Sequence, residues 1–286
     1  MFNLKNMSNN SEVFTMKMKQ NNTLHGIFRR KKVLIGMVHL LPLPGSPLFD
    51  HNKERILKHA IHDAEAIYDG GFDGIIIENL GDIPYFPSNV PPETIAYMTL
   101  IATKIRELVD IPIGINVLRN DAISALAIAD ATNAQFIRVN VLSGAYITDQ
   151  GIITAVAHNL LRYRKQLNSQ VKIFADFRVK HAEEIVERDF VIELNELAHR
   201  SLADVIIITG TRTGAMPALN DLKLAKESIE KPVFAGSGVN EENIENILKV
   251  VDGAIIGTSI KSTTNIFSPV DKRKVIRIAE LAESLQ

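Results

Sequence analysis

Short aliphatic runs recur along the chain, and each is followed by a longer stretch in which apolar residues return every three or four positions. The first pattern is a buried strand and the second an amphipathic helix, because side chains alternate across a strand and repeat every 3.6 residues on a helix. Strands are predicted at 33–39, 74–78, 113–117, 136–141, 171–176, 205–209, 233–235 and 253–256. Helices are predicted at about 52–68, 93–109, 122–131, 151–166, 190–200, 218–229, 241–250 and from 270 onward. The run GIIIE at 74–78 is continuous rather than alternating, as in a parallel sheet covered on both faces. Eight strand-then-helix units in about 250 residues predict an α/β protein: a closed (β/α)8 TIM barrel, one parallel sheet ringed by eight helices. A doubly wound sheet usually places a Gly-rich turn after its first strand, whereas the turn here reads LPLPGSP.

Polar residues gather where these strands end. In such a barrel the C-terminal ends of the strands carry the active site. Parity places Glu78 with Ile76, Asn116 with Gly114, and Asp176 with Phe174; Arg138 and Asn140 share a face with Phe136. If those faces point inward, two carboxylates, two amides and an arginine converge on one mouth. Glu78 and Asp176 are then the acid–base candidates. His39, Asn79, Asn116, Arg119, Arg138, Asn140, Lys180 and His181 are candidate substrate contacts. The plain alternative is an internal ion-pair network that plugs the barrel, but a buried set of charges without a task is costly. Lys180 reads as an anion contact, since a Schiff-base role requires a depressed pKa. Thr209, Gly210, Gly236, Ser237, Gly238, Gly257 and Thr258 lie where barrels commonly hold phosphate on backbone N–H groups; ordinary tight turns are the alternative. Thr148 and Asp149 are expected to cap the helix predicted from 151. His59, His62, His158 and His199 fall in helix patterns and read as surface or capping residues.

Composition narrows the chemistry. The 286 residues contain no cysteine, so disulfides, thiolate nucleophiles and Cys-ligated metal sites are excluded. A formal net charge of -1 argues against a general polyanion binder such as a nucleic-acid protein, though not against one phosphate site. His39, Glu78, Asp176 and His181 have no local metal-ligand spacing, so no metal is expected, and no cofactor is assigned. The longest uncharged run, 33–49, is interrupted by Pro42, Pro44 and Pro47, so no transmembrane segment is expected. Residues 1–28 are Asn-rich, aperiodic and basic, with Lys5, Lys17 and Lys19 against Glu12, followed by Arg29-Arg30-Lys31-Lys32. They read as a flexible extension before a barrel domain at 29–286, with initiation at Met16 or Met18 as one explanation. A mitochondrial-type presequence is the alternative, which would change a cytoplasmic placement to an organellar one. The basic run also permits a peripheral contact with an anionic membrane. A homo-oligomer is the expected assembly.

Several strings are long and unusual. They include IGMVHLLPLPGSP (35–47), GGFDGIIIENLGDIPY (70–85), PIGINVLRNDAISALAIA (112–129), FIRVNVLSGAYITDQGII (136–153), IFADFRVKHA (173–182) and ADVIIITGTRTG (203–214). In these the chain resembles the BtpA/SgcQ family from about residue 26 onward. The resemblance implies a barrel like those of the ribulose-phosphate-binding group. On the functional side it implies two different things: association with photosystem I accumulation at the thylakoid for BtpA, and nucleosidase-type sugar metabolism for SgcQ-like members. It supplies no established catalytic residues. Sequence and resemblance together suggest an enzyme acting on a small phosphorylated sugar or ribose-containing, nucleoside-type substrate. The alternative is a non-enzymatic biogenesis factor that uses the barrel as a binding platform.

Overall fold

The computed structural model describes residues 24–210 and 216–285. The extension as far as residue 23, with both candidate initiation sites, and the 211–215 part of the string at 203–214 lie outside the described residues. The chain runs β1 (Val33–His39), α1 (Lys53–Asp69), β2 (Gly74–Glu78), α2 (Pro92–Leu108), β3 (Ile113–Asn116), α3 (Ala122–Ala131) and β4 (Phe136–Val139). It continues through β5 (Ala145–Thr148), β6 (Gly151–Thr154), α4 (Ala157–Gln166), β7 (Lys172–Phe177), β8 (Ala182–Glu184) and α5 (Phe190–Asn195). It closes with β9 (Val205–Ile208), α6 (Leu219–Ser228), β10 (Val233–Ala235), α7 (Ile244–Leu248), β11 (Gly253–Ile256) and α8 (Lys272–Glu283). Eight strands form a closed barrel in the order β1, β2, β3, β4, β7, β9, β10, β11, and β11 pairs back onto β1. Every pairing in the barrel is parallel. The predicted fold is the observed one.

Strand alternation divides the apolar residues into two cores. Outward residues such as Ile75, Ile77, Ile137 and Ala175 pack under the helices. Inward residues, among them Ile35, Ile76, Phe136, Phe174, Ile207 and Phe234, fill the lumen. Gly114 makes room for this filling, because a Cβ there would stand 2.2 Å from the Phe136 ring. Phe28, read from sequence as the last residue of the extension, is buried in the lumen cluster, with Leu24 and Ile27 packed beside it. Its ring lies 5.9 Å from that of Phe136 and 6.4 Å from that of Phe174. Barrel packing therefore begins by Leu24, before the predicted boundary.

Further expectations are corrected. The helix predicted from 151 begins at Ala157, because Gly151–Thr154 is a strand that hairpins onto Ala145–Thr148. With β8 these form a three-stranded antiparallel sheet beside the mouth. Thr148 and Asp149 accordingly sit at the hairpin turn, with Thr148 Oγ1 donating to the Gly151 carbonyl, and do not cap a helix. Gly151 takes φ +92, a conformation that glycine adopts without steric cost. The predicted helices near 190–200 and 241–250 shorten to α5, followed by a wider turn at Glu196–Arg200, and to the five-residue α7.

Candidate functional site

Register levels the polar residues. His39 of β1 stands opposite Glu78 of β2, which stands opposite Asn116 of β3. Phe174 pairs with Arg138, so Asp176 emerges two residues further along β7, next to Asn140 beyond the end of β4. These side chains are all buried. His39, Glu78, Arg138, Asn140 and Asp176 floor a cavity of about 920 Å³ at the C-terminal end of the barrel. Below them the lumen is closed by the stacked rings of Phe136 and Phe174, 4.4 Å apart.

The two carboxylates have different environments. Asp176 accepts from Arg138 Nε and Nη2 at 3.0 Å each and from Asn140 Nδ2 at 2.9 Å. Asn140 is itself held by Asn116, whose amide donates to Asn140 Oδ1 at 3.0 Å and to the Arg138 carbonyl at 3.2 Å. Asp176 is thus held by three donors, a geometry suited to orienting Arg138. Glu78 is also buried, but its carboxylate makes no hydrogen bond among the described residues. Its nearest ionic neighbours are His39 Nε2 at 3.8 Å and Arg138 Nη1 at 3.9 Å. Burial raises its proton affinity, and the nearby Arg138 and Lys180 only partly offset that. Burial likewise pushes the His39 imidazole well below its ordinary pKa, with the cations Lys261, Lys180 and Arg138 adding to the effect. His39 Nδ1 is buried without a partner among the described residues. Gly257 permits this placement, since a Cβ there would press to 2.9 Å from His39 Cε1.

One wall of the cavity is cationic and glycine-rich. Gly236, Ser237, Gly238, Gly257 and Thr258 all line it. Lys180 Nζ donates to the Gly236 carbonyl at 3.1 Å, and Arg119 donates to the Lys180 carbonyl. Arg178 and His181, on either side of Lys180, both sit at φ 53 in the left-handed region. That conformation is uncommon for non-glycine residues and tends to cluster at functional sites. His181 lines the cavity at its exposed rim.

Four predicted contacts do not line the cavity, namely Asn79, Asn116, Thr209 and Gly210. Asn79 braces a loop instead, accepting from Leu118 N at 2.7 Å and donating to Asp82 at 3.0 Å. Thr209 Oγ1 donates to the Arg178 carbonyl, and Gly210 N donates to Ser237 Oγ at 2.8 Å. Both therefore hold the loops that do line it. The opposite wall went unread in the sequence: Ile83, Tyr85, Leu118, Ile266 and Phe267 give it an apolar surface. The only signal for it was the presence of aromatic and aliphatic residues inside loops rich in Pro, Ser, Thr and Asn. Among the described residues, no group of three or more His, Asp or Glu side chains is placed to hold a metal ion.

A closed parallel barrel with a charged mouth at the ends of its strands defines a TIM-barrel protein. The BtpA family model matches residues 30–284, and the chain belongs to the BtpA family. It is 44% identical over 261 residues to the photosystem I biogenesis protein BtpA of Synechocystis, covering 91% of each chain. It is 46% identical over 257 residues to an uncharacterized protein of Methanocaldococcus jannaschii, covering 90% of this chain and 97% of the relative. Similar solved structures include (S)-3-O-geranylgeranylglyceryl phosphate synthase from Thermoplasma acidophilum in complex with sn-glycerol-1-phosphate. That comparison has a TM-score of 0.58 at 17% identity and covers 93% of this chain and 98% of the other. Thiamine phosphate pyrophosphorylase from Pyrococcus furiosus gives a TM-score of 0.56 at 16% identity, covering 89% of this chain and 96% of the other. At these identities the likeness is one of fold. No helix among the described residues is long and apolar enough to cross a membrane.

Proposed function

We propose that the protein is an enzyme acting on a small phosphorylated, sugar-like substrate in the barrel mouth. The observation that carries this reading is the contrast between the two acids. Asp176 is consumed by Arg138 and Asn140, while Glu78 is buried, unbonded and raised in proton affinity. A buried carboxyl group without a hydrogen-bond partner costs stability, and perturbed acids of this kind cluster at catalytic sites. Glu78 is the proton donor and acceptor in this reading. Gly236–Gly238 and Gly257-Thr258 hold the phosphate, Arg119 neutralises it, Lys180 stands beside it, and Arg138 and Asn140 orient a hydroxyl or carbonyl oxygen. The two similar structures whose names include a phosphate are consistent with this choice of ligand. Thermal-shift measurements test it. Ribose 5-phosphate should raise the melting temperature saturably and more than inorganic phosphate does. If neither compound shifts it, the phosphate site is abandoned.

A second reading, a platform in assembly, draws on the name of the Synechocystis relative and on one surface feature. Ile147 and Ile152 are cross-strand partners on the three-stranded sheet, and both are more than half exposed. Replacing both with Thr should leave ligand-induced stabilisation intact and abolish partner recovery in a pull-down from the native host. Recovery that is unaffected removes this surface from the reading.

A further inference from the structure

The mouth contains one amine whose placement anion binding does not fully explain. Lys180 is half-buried, yet no carboxylate among the described residues is close enough to pair with it. Its hydrogen bond goes to a backbone carbonyl, that of Gly236. Asp176, four residues earlier, is already taken by Arg138 and Asn140. The backbone around Lys180 is fixed on three counts. Arg178 and His181 hold the left-handed conformation, and Arg119 binds the carbonyl of Lys180 itself. Burial, with Arg138 next in effect, lowers the proton affinity of the amine to about 8. A surface lysine titrates near 10.4, so at neutral pH Lys180 carries roughly two-hundredfold more of its amine in the nucleophilic, uncharged form. Gly236, whose carbonyl Lys180 contacts, also opens the Gly236–Gly238 turn. Lys180 Nζ therefore stands beside the turn read above as the phosphate seat.

We infer that Lys180 is a nucleophile that condenses with the carbonyl carbon of a small phosphorylated aldehyde or ketone to form an imine in the barrel mouth. The neutral amine adds to the carbonyl carbon, forming the C–N bond as the C=O π bond opens onto oxygen. That oxygen then leaves as water, taking one proton from the amine and one from the Glu78 carboxylic acid. An iminium remains on Lys180, with the Glu78 carboxylate as its counter-ion, so atoms and charge balance. Glu78 is then in the basic form and can accept a proton from the carbon next to the iminium, for which the iminium is the electron sink. The inference rests on the phosphate-site reading for the orientation of the substrate, and it specifies that substrate as a carbonyl compound.

Reductive trapping tests it on the full chain. Dihydroxyacetone phosphate, glyceraldehyde 3-phosphate and ribulose 5-phosphate are each incubated with the protein and sodium borohydride at pH 7, and the labelled lysines are mapped by peptide mass spectrometry. The expected result is that at least one probe labels Lys180 roughly two-hundredfold faster than the exposed lysines, the ratio set by the amine fractions. Inorganic phosphate should slow that labelling. Lys180→Arg keeps the charge and should abolish the label at this position while remaining folded by circular dichroism. If Lys180 is labelled no faster than the exposed lysines by any of the three probes, the imine is ruled out. A phosphate-induced rise in melting temperature without Lys180 labelling overturns the imine alone. Labelling without any phosphate-induced rise overturns the phosphate site alone.

Discussion

Two acids on one floor, about equally buried, should respond in opposite ways to removal of their charge. Asp176→Asn takes away the partner of Arg138 and leaves that guanidinium with Glu78 at 3.9 Å as its nearest acid. Breaking a buried pair from one side costs about 3–5 kcal/mol, so this variant should unfold at clearly lower denaturant concentration. Glu78→Gln breaks no side-chain hydrogen bond and removes a carboxylate whose ionisation burial disfavours. It should keep the ligand-induced rise in melting temperature and lose roughly 10²–10⁴-fold in turnover, the usual contribution of a general acid–base group. The pH dependence has a definite sign. The proton affinity of Glu78 is raised in the folded protein, so the unfolded chain releases that proton first as pH rises. The folded state then binds more protons than the unfolded one, and its stability falls with increasing pH. Glu78→Gln lacks this loss. Its melting temperature should therefore gain on the wild type as pH rises above about 4, where an unperturbed Glu ionises. A constant difference across that window would mean that Glu78 is not perturbed by burial. Parity in the sequence was enough to bring these residues to one mouth. It could not separate their roles, because that depends on Asn140 and Arg138 reaching across strands to Asp176 and not to Glu78.

Among the elements, the clearest misreading is the hairpin of β5 and β6. AYITDQGIIT alternates with a period of two: Tyr146 and Ile153 are buried, while Ile147 and Ile152 are exposed. The turn chemistry of Asp149, Gln150 and Gly151 lies between them, and Gly151 was legible as a turn residue. The alternation was lost because a barrel needs a helix after its fourth strand, and the expectation of a regular repeat outweighed the local signal. A second element-level feature went unread as well. Asp63 lies on the inward face of α1 among Ala60, Ala64 and Ile67, an unusual position for an acid. It binds Lys261 Nζ at 2.6 Å and accepts from Val270 N at 2.7 Å, and both charged residues are fully buried. The pair clamps the base of the loop between Lys261 and Val270, whose tip carries Thr264, Ile266 and Phe267 into the cavity. Lys261→Met alone should lower stability by about 3–5 kcal/mol in urea unfolding, because Asp63 is left charged and buried. Adding Asp63→Leu should recover much of that loss, which a double-mutant cycle would register as coupling. Additive losses would show that the two residues act independently.

For the whole molecule, the barrel is polar at one end and sealed by aromatic rings at the other, and the seal is contributed by the segment that precedes the first strand. Eight units of strand and helix were legible from periodicity alone, and the strand ends located the mouth. The opposite end was not legible, because Phe28 sits in a short non-repeating stretch next to four basic residues and has no periodic neighbours to mark it as core. The fold reveals its partners: Phe28 closes on Phe136 and Phe174, and Phe174 in turn meets Phe234 at 5.7 Å. Those rings fit the lumen because Gly114 and Gly253 present no side chain to it; a Cβ on Gly253 would stand 2.6 Å from the Phe234 ring. Removing the Phe28 ring therefore opens a cavity that packed strands cannot collapse to fill. Phe28→Ala should cost about 3–5 kcal/mol, the range for a buried Phe truncated to Ala. Phe28→Leu, which keeps most of the volume, should cost much less. Neither change touches a residue of the mouth, so the rise in melting temperature produced by ribose 5-phosphate should be the same in both variants as in the wild type. If Phe28→Ala leaves the urea midpoint unchanged, the segment before the first strand is not part of the barrel's core. If it lowers the midpoint and also erases the ligand shift, the two ends are coupled through the stacked rings, and the aromatic seal contributes to holding the floor of the site.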